Sequence, residues 1–148
     1  MSNAEKINIR PMAPEDVDSV IAINTKIANA DRTLTYANPR GSYFGGELDI
    51  SVVAEANGKV VGFILGRLET SPRGWLNAWA HFIGVDPDYY RRGVGTKLMK
   101  SFVARCKTQG VKTVHMMVNW HDWKMVAFLQ SLGFSRGDLT DFGVAVEE

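Results

Sequence analysis

Near the middle of the chain, an apolar strand leads through a proline turn into two arginines, two glycines and an amphipathic helix. The strand covers residues 81–85, the turn 86–88, and the helix opens over 91–96. Apolar residues then recur at the spacing of one helical face, and they are Val94, Leu98, Phe102, Val103 and Cys106. We therefore expect this helix to pack one face against a sheet that contains the strand.

The start of this helix has the features of an anion-binding site. The first N–H groups of a helix lack intrahelical partners and lie at the positive end of its dipole. Gly93 and Gly95 leave these groups uncovered, and the guanidinium groups of Arg91 and Arg92 can each bind phosphate oxygens. The sequence therefore predicts phosphate binding. A dinucleotide fingerprint would need glycine or alanine at Leu98, and no P-loop pattern occurs.

Composition narrows the class of protein. The 148 residues suit one domain, assigned as 1–148, and an apolar fraction of 45% predicts a folded core. The chain has 17 basic and 16 acidic residues, so its charge does not favour nucleic acid. The single cysteine, Cys106, excludes an internal disulfide and is expected to be a buried thiol. No run of 18 apolar residues exists, so we expect a cytoplasmic protein without a membrane partner.

The periodicity predicts alternating strands and helices. Asn57-Gly58 is a strong hairpin signal between two strands rich in β-branched residues. Strands are expected over 6–12, 51–56, 59–68, 75–85, 111–119 and 143–147, and helices from Pro14, within 31–47, from 93 to 110, and from an Asp122 cap to Gly133.

Three of these segments together resemble the GNAT superfamily of N-acetyltransferases. Residues 90–95 are similar to its pyrophosphate signature [Q/R]-x-x-G-x-[G/A], although Tyr90 takes the first position. Val85-Asp86-Pro87 resembles its V-x-P turn, and Leu132-Gly133-Phe134 its closing L-G-F. The resemblance covers essentially the whole chain. It implies a mixed α/β (α+β) domain with a mostly antiparallel sheet of about six to seven strands, about four flanking helices and a splayed strand pair at the cofactor cleft.

The resemblance also implies an activity: acetyl transfer from acetyl coenzyme A to a primary amine of a small molecule, peptide or protein, by direct attack in a ternary complex. Backbone groups of Ile83, Gly84 and Val85 would bind the pantetheine arm, and the Val85 N–H would polarise the thioester carbonyl. The pyrophosphate would be held by Arg91, Arg92, Gly93, Val94, Gly95 and Thr96.

The acid and base are less clear from the sequence. Many relatives have a tyrosine acid where this chain has Leu129, and an asparagine that contacts the cofactor where it has Asp122. Asn119 could take over that contact. On a regular strand Trp79, His81, Ile83 and Val85 share one face, which makes His81 the candidate base, although a structural histidine is an equal alternative. No metal-ligand spacing occurs among the histidines and the cysteine, so no metal is expected.

The acceptor is the least determined part. Residues 31–47 and 135–142 are the segments that would shape its site. The four tryptophans could line the acceptor cleft, pack in the core or form a homodimer contact, and they are Trp75, Trp79, Trp120 and Trp123. Two rival classes stay open: a non-catalytic acyl-coenzyme A sensor, and an interaction module without a cofactor.

Overall fold

The computed structural model describes residues 6–30, 50–138 and 140–146. In these residues one five-stranded sheet has the order β1-β2-β3-β4-β5, antiparallel throughout except for the parallel pair β4–β5. The strands are β1 (Ile7–Pro11), β2 (Val52–Ala56), β3 (Lys59–Thr70), β4 (Leu76–Val85) and β5 (Thr113–His115). The α-helices are α1 (Val17–Ala30), α2 (Val94–Thr108) and α3 (Trp123–Ser131), with short 3₁₀ turns at Pro14–Asp16 and Pro87–Tyr89.

The hairpin between β2 and β3 forms at the predicted turn. Asn57 and Gly58 have φ values of +53° and +78°. Two-residue hairpin loops need positive φ at such positions, and asparagine and glycine tolerate it best. The hairpin prediction is confirmed, and it sets β2 and β3 in the centre of the sheet.

Helices cover both faces of the sheet. The side chains of α1 pack on one face with Met12, Val53, Val60, Phe63 and Leu65. On the other face α2 and α3 bury Val94, Leu98, Met99, Phe102, Cys106 and Leu129. Any Cβ at Gly66 would overlap the ring of Phe102, so glycine at this position lets α2 lie close to β3.

The buried face of α2 differs from the prediction at one position. Met99 is fully buried, whereas Val103 is 38% exposed. A step of about 100° per residue places Met99 nearer than Val103 to the centre of the stripe formed by Val94, Leu98, Phe102 and Cys106. Burial raises the pKa of the Cys106 thiol to about 11, which confirms an unreactive buried cysteine at neutral pH.

An ion-pair cluster holds the start of α1 against β1 and β2. The Arg10 guanidinium donates to both carboxylate oxygens of Asp16, at 2.8 and 2.9 Å, and to Glu55 at 3.2 Å. Asp16 also accepts the Ala13 N–H at 2.8 Å. The Arg10 hydrogen bonds lower the pKa of Asp16 and outweigh the opposing effect of burial.

The described part of the chain has fewer strands and helices than predicted. The strand expected over 111–119 forms only at Thr113–His115, because only these three residues pair with β4. The strand expected over 143–147 is wrong for residues 143–146, which lie outside any helix or strand. The helix expected within 31–47 lies outside the described residues. Over the same described ranges, no helix has the length and apolar character needed to cross a bilayer.

Candidate functional site

The sheet splits between β4 and β5. The two strands pair only from Asn77↔Thr113 to Trp79↔His115. Beyond Trp79, β4 continues to Val85, and no strand among residues 6–30, 50–138 and 140–146 pairs with that side of it. The predicted splayed pair is therefore present, and it opens a cleft along one edge of β4.

The N–H and C=O groups of two β4 residues point into this split. The Asp86 N–H donates to the Val61 carbonyl at 2.8 Å, so that pair is a hydrogen-bonded pair of the ladder. Bonded and non-bonded pairs alternate in an antiparallel ladder, so Val85 opposite Gly62 and Ile83 opposite Ile64 are non-bonded pairs. The N–H and C=O groups of Ile83 and Val85 consequently face away from β3, towards the cleft.

The first turn of α2 lies at the end of the same cleft. Gly93 is the N-cap residue with φ +76°, and its first intrahelical partner is the Lys97 N–H at 3.0 Å. The N–H groups of Val94, Gly95 and Thr96 therefore precede the first helical hydrogen bond. The first turn contains no acidic residue, so its positive dipole end is not neutralised within the helix.

The backbone before α2 is strained. Arg91 has φ +66°, a left-handed conformation that costs a residue with a Cβ about 1–2 kcal/mol. Arg91 and Gly93 both have positive φ, on either side of Arg92, and left-handed residues of this kind occur in the backbone nests that bind anions. The strain thus accompanies a geometry suited to phosphate.

A cleft of about 300 Å³ brings these parts together. Eight of the predicted site residues line it: Ile83, Gly84, Val85, Arg91, Gly93, Val94, Gly95 and Thr96. It is also lined by residues that the sequence analysis did not assign to the site: Ile27, Tyr89, Tyr90, Met125 and Phe128. The sequence analysis predicted the helix that carries Met125 and Phe128, but only the split of the sheet shows that these two residues border the cleft.

The loop before α2 is anchored to α1. The Lys26 ammonium lies 2.8 Å from Asp86 Oδ1 and 2.8 Å from Asp88 Oδ2. Asp86 Oδ1 also accepts the Asp88 N–H at 2.9 Å. Burial of the Asp86 carboxyl raises its pKa, but the hydrogen bonds from Lys26 and Asp88 outweigh this, so its pKa is lowered overall. The buried carboxylate thereby ties the proline turn to the helix on the opposite face of the sheet.

Three predicted contact residues lie outside the cleft lining. Arg92 places its guanidinium carbon 4.7 Å from the centre of the Tyr89 ring, in a cation–π arrangement. Asn119 Oδ1 accepts the His121 N–H at 2.8 Å. Asp122 caps α3 by accepting the Met125 N–H at 3.1 Å, as predicted. Cofactor contacts by these three residues stay predictions.

Leu129 cannot act as the acid that the resemblance implies for its position. It is 6% exposed and packs in the core between α3 and α2. Its aliphatic side chain has no proton to donate, so a protein acid, if one acts here, must come from another element.

His81 lies at a bulge. Phe82 is opposite Leu65 and Ala80 is opposite Gly66, so His81 is the extra residue of β4. The bulge reverses the alternation: Ala80 faces the α2 side before it, and Ile83 and Val85 face that side after it. The expectation that Trp79 shares a face with Ile83 and Val85 is therefore wrong.

The bulge leaves His81 exposed at the start of the split and outside the cleft lining. Although the residue as a whole is exposed, its imidazole is partly desolvated, and this lowers its pKa; the charge of Arg67 adds to the effect. The neutral ring, which can accept a proton, is thus favoured at pH 7. Trp79 stacks on His115 with ring centres 4.6 Å apart. The alternative that the tryptophans pack in the core is wrong for Trp75, Trp120 and Trp123, whose side chains are exposed.

The split sheet, the start of α2 and the outward backbone groups of β4 form one cleft, whose helix N-terminus suits an anion and whose open strand edge suits an extended chain. The chain belongs to the acetyltransferase (GNAT) family, whose family model matches residues 23–134.

Relatives with known names agree with this family assignment. An acetyltransferase of Pectobacterium atrosepticum is 27% identical over 95 residues, which are 64% of each chain. The [ribosomal protein bS18]-alanine N-acetyltransferase of Escherichia coli is 28% identical over 94 residues, 64% of this chain and 60% of that one. The chain thus spans less than two-thirds of the length of either relative. Arabidopsis thaliana Naa50, solved with a bisubstrate analogue, shares the fold with a TM-score of 0.74 at 18% identity, covering 95% of this chain and 91% of that one.

Proposed function

We propose that this chain is an N-acetyltransferase that moves an acetyl group from acetyl coenzyme A to a primary amine by direct attack in a ternary complex. One observation carries the proposal: the start of α2 and the outward peptide groups of β4 line the same cleft. The first suits a pyrophosphate and the second suits the amides of a pantetheine arm. When bound, acetyl coenzyme A supplies an acetyl group activated as a thioester.

The residues of the cleft have separate roles in this proposal. The N–H groups from Gly93 to Thr96 hold the pyrophosphate, with the guanidinium groups of Arg91 and Arg92. Backbone groups of Ile83, Gly84 and Val85 align the arm as an added strand. The Val85 N–H, which faces the cleft, donates in this proposal to the oxygen of the reacting carbonyl, a kind of contact worth about 2.7–4 kcal/mol in other enzymes.

His81 is proposed as the general base, acting on the amine directly or through a water. An ammonium group must lose its proton before it can attack, and a base near neutral pKa accepts that proton most effectively. The place of His81 at a bulge beside the split supports this role, and its lowered pKa keeps the imidazole neutral and able to accept a proton at pH 7. The same features agree with a structural histidine, so the role depends on the pH profile described in the Discussion.

For the acceptor, the first class to test is the terminal amine of a peptide. The E. coli relative is named for acetylating an alanine of a ribosomal protein. A small-molecule amine is the second class. Segment 31–47, predicted to shape the acceptor site, lies outside the described residues. One domain over residues 1–148 and a cytoplasmic location also stay predictions.

A non-catalytic sensor of acyl-coenzyme A is the second candidate, and Leu129 is the observation that favours it. A chain that binds the cofactor without transferring the acetyl group needs the phosphate cleft but no acid. Here the usual acid position is aliphatic and buried, whereas the phosphate-binding backbone is intact. Binding alone therefore does not separate the two candidates.

Release of the coenzyme A thiol against a panel of amines separates them. The panel contains peptides with free alanine, serine and methionine termini, the same peptides with blocked termini, and small polyamines. An N-acetyltransferase releases thiol faster with at least one free amine than with its blocked counterpart, and the amine gains one acetyl group per thiol. A sensor shows calorimetric binding of acetyl coenzyme A, with thiol release equal to the amine-free rate throughout.

A further inference from the structure

Two surfaces outside the cofactor cleft lie on the same chain. One is the outer edge of β5, the last strand of the sheet, which pairs only with β4 among the described residues. The other is residues 140–146, here called the tail segment. Open strand edges carry N–H and C=O groups that can accept another strand.

The tail segment has the pattern of a strand with one apolar face. Phe142, Val144 and Val146 alternate with Gly143 and Ala145. The three large side chains are 91%, 87% and 94% exposed, so the described part of the chain leaves them uncovered. Their exposure in alternation identifies a face that lacks its partner surface.

We propose that the tail segment of one copy pairs as an added strand with the β5 edge of a second copy, and that the second copy does the same in return. Donor strand and acceptor edge occur on one chain, and over residues 6–30, 50–138 and 140–146 neither is paired with the other or covered. A two-fold exchange satisfies both in a closed dimer, whereas a foreign strand on the β5 edge leaves the tail segment exposed. The inference does not depend on the proposed acetyl transfer.

The faces of the two surfaces match. Val114 of β5 and the following Met116 and Val118 pack against the core on the α2 side. A strand added beside β5 places every second side chain on that same face. Phe142, Val144 and Val146 would then extend an existing apolar layer on the α2 side of the sheet.

Charge and reach favour the same partner. The chain around β5 carries basic residues, and they are Arg105, Lys107, Lys112 and Lys124. From residue 137 onwards the sequence has four acidic residues and none that is basic. The Phe134 N–H is held by the Leu129 carbonyl at 3.0 Å. The seven residues 135–141 can span about 23 Å from that point, enough to cross to a neighbouring copy.

Light scattering after size-exclusion chromatography of the full chain tests the proposal, with Val144→Asp as the disruptive variant. Ala145→Asp is the matched control, because it adds the same charge on the opposite, solvent-facing side of the proposed strand. The wild type is expected to be a dimer. Val144→Asp should weaken association at least about 100-fold, because it buries a charge, and Ala145→Asp should change it less than about fivefold. A monomeric wild type, or a dimer equally strong in Val144→Asp, overturns the proposal.

A mixed disulfide distinguishes exchange from pairing within one chain. Chains with Ala145→Cys are mixed with differently tagged chains carrying Thr113→Cys or His115→Cys, positions that share one side of the proposed pair. Exchange predicts a heterodisulfide with at least one of the two edge variants. A separate chain carries Ala145→Cys together with an edge cysteine. A disulfide that forms only within such a chain, or no heterodisulfide with either edge variant, overturns the proposal. Native Cys106 is fully buried and does not compete.

Discussion

Replacing Gly95 separates what the start of α2 does for the fold from what it does for a ligand. A Cβ built at this glycine lies 3.5 and 3.7 Å from the Phe128 ring and 3.9 Å from Val85. These are ordinary van der Waals distances, so alanine fits without moving its neighbours. The backbone there is helical and Gly95 lines the cleft. Larger side chains at this position extend into the space proposed for the pyrophosphate.

Substitutions at Gly95 are expected to have opposite effects on folding stability and on ligand affinity. Gly95→Ala should raise the free energy of unfolding by up to about 1 kcal/mol, since alanine has the higher helix propensity. For a domain of this size that corresponds to a Tm increase of about 2–4 °C. Gly95→Glu places a carboxylate in the first turn of α2, where it favours the helix by about 0.3–1 kcal/mol. The same carboxylate about 4 Å from a phosphate costs about 4 kcal/mol, or roughly a 1,000-fold loss of affinity.

Thermal unfolding and calorimetric titration with acetyl coenzyme A measure both quantities on the same samples. Gly95→Gln is the control for size without charge. We expect Gly95→Glu to unfold no lower than wild type and to show no detectable binding, and Gly95→Gln to lose less affinity. A folded Gly95→Glu variant with wild-type affinity would refute the assignment of the cleft. A large fall in Tm for Gly95→Ala would show that the glycine serves packing.

Three further predictions concern charge. Arg92→Ala should weaken acetyl coenzyme A binding by about 1.5–3 kcal/mol in calorimetry, with a loss that shrinks as salt rises; a loss independent of salt would indicate misfolding instead. His81→Gln should keep cofactor affinity but lower turnover at pH 7 about 100-fold, with partial recovery at high pH as free amine accumulates, and a variant that follows the wild-type pH profile would make His81 structural. The pKa values of Asp16 and Asp86 are lower in the folded state than the unfolded-state value of about 3.9. The two carboxylates therefore stabilise the fold above that pH. This stability is lost as pH falls through their folded-state pKa values, so Tm should drop below pH 4. Lys26→Met leaves Asp86 buried without its cation and raises its folded-state pKa, so the variant should be less stable than wild type at pH 7 and should lose less stability as pH falls below 4. An unchanged acid profile would contradict the role of this pair.

Features encoded by neighbouring residues were predictable from the sequence. Asn57-Gly58 defines its hairpin because both residues accept positive φ. The helix after Gly93 and the Asp122 cap of α3 were also predicted, since caps depend on a few adjacent residues. The splayed pair, by contrast, came from resemblance to a family, and the parting of β4 from β5 after Trp79 confirms it.

Features that depend on distant residues were not predictable. The bulge at His81 reflects how β4 aligns with Leu65 and Gly66 of β3, and no local pattern around His81 encodes that register. Lys26 and Asp86 are 60 positions apart, so their ion pair follows only from the packing of α1. A strand of the sheet was predicted over 143–147, but a pattern of apolar residues does not say which strand edge will pair with it.

Amide hydrogen exchange with and without acetyl coenzyme A tests the central claim most directly, because the claim assigns the ligand to particular N–H groups. Saturating ligand should slow exchange at Ile83 and Val85, whose N–H groups face the split, and at Val94, Gly95 and Thr96 in the first turn of α2. Gly84, whose N–H is expected to pair with β3, serves as the internal control and should change less. Binding that leaves the first turn of α2 and both β4 groups unprotected, or that protects a different surface, would contradict the account.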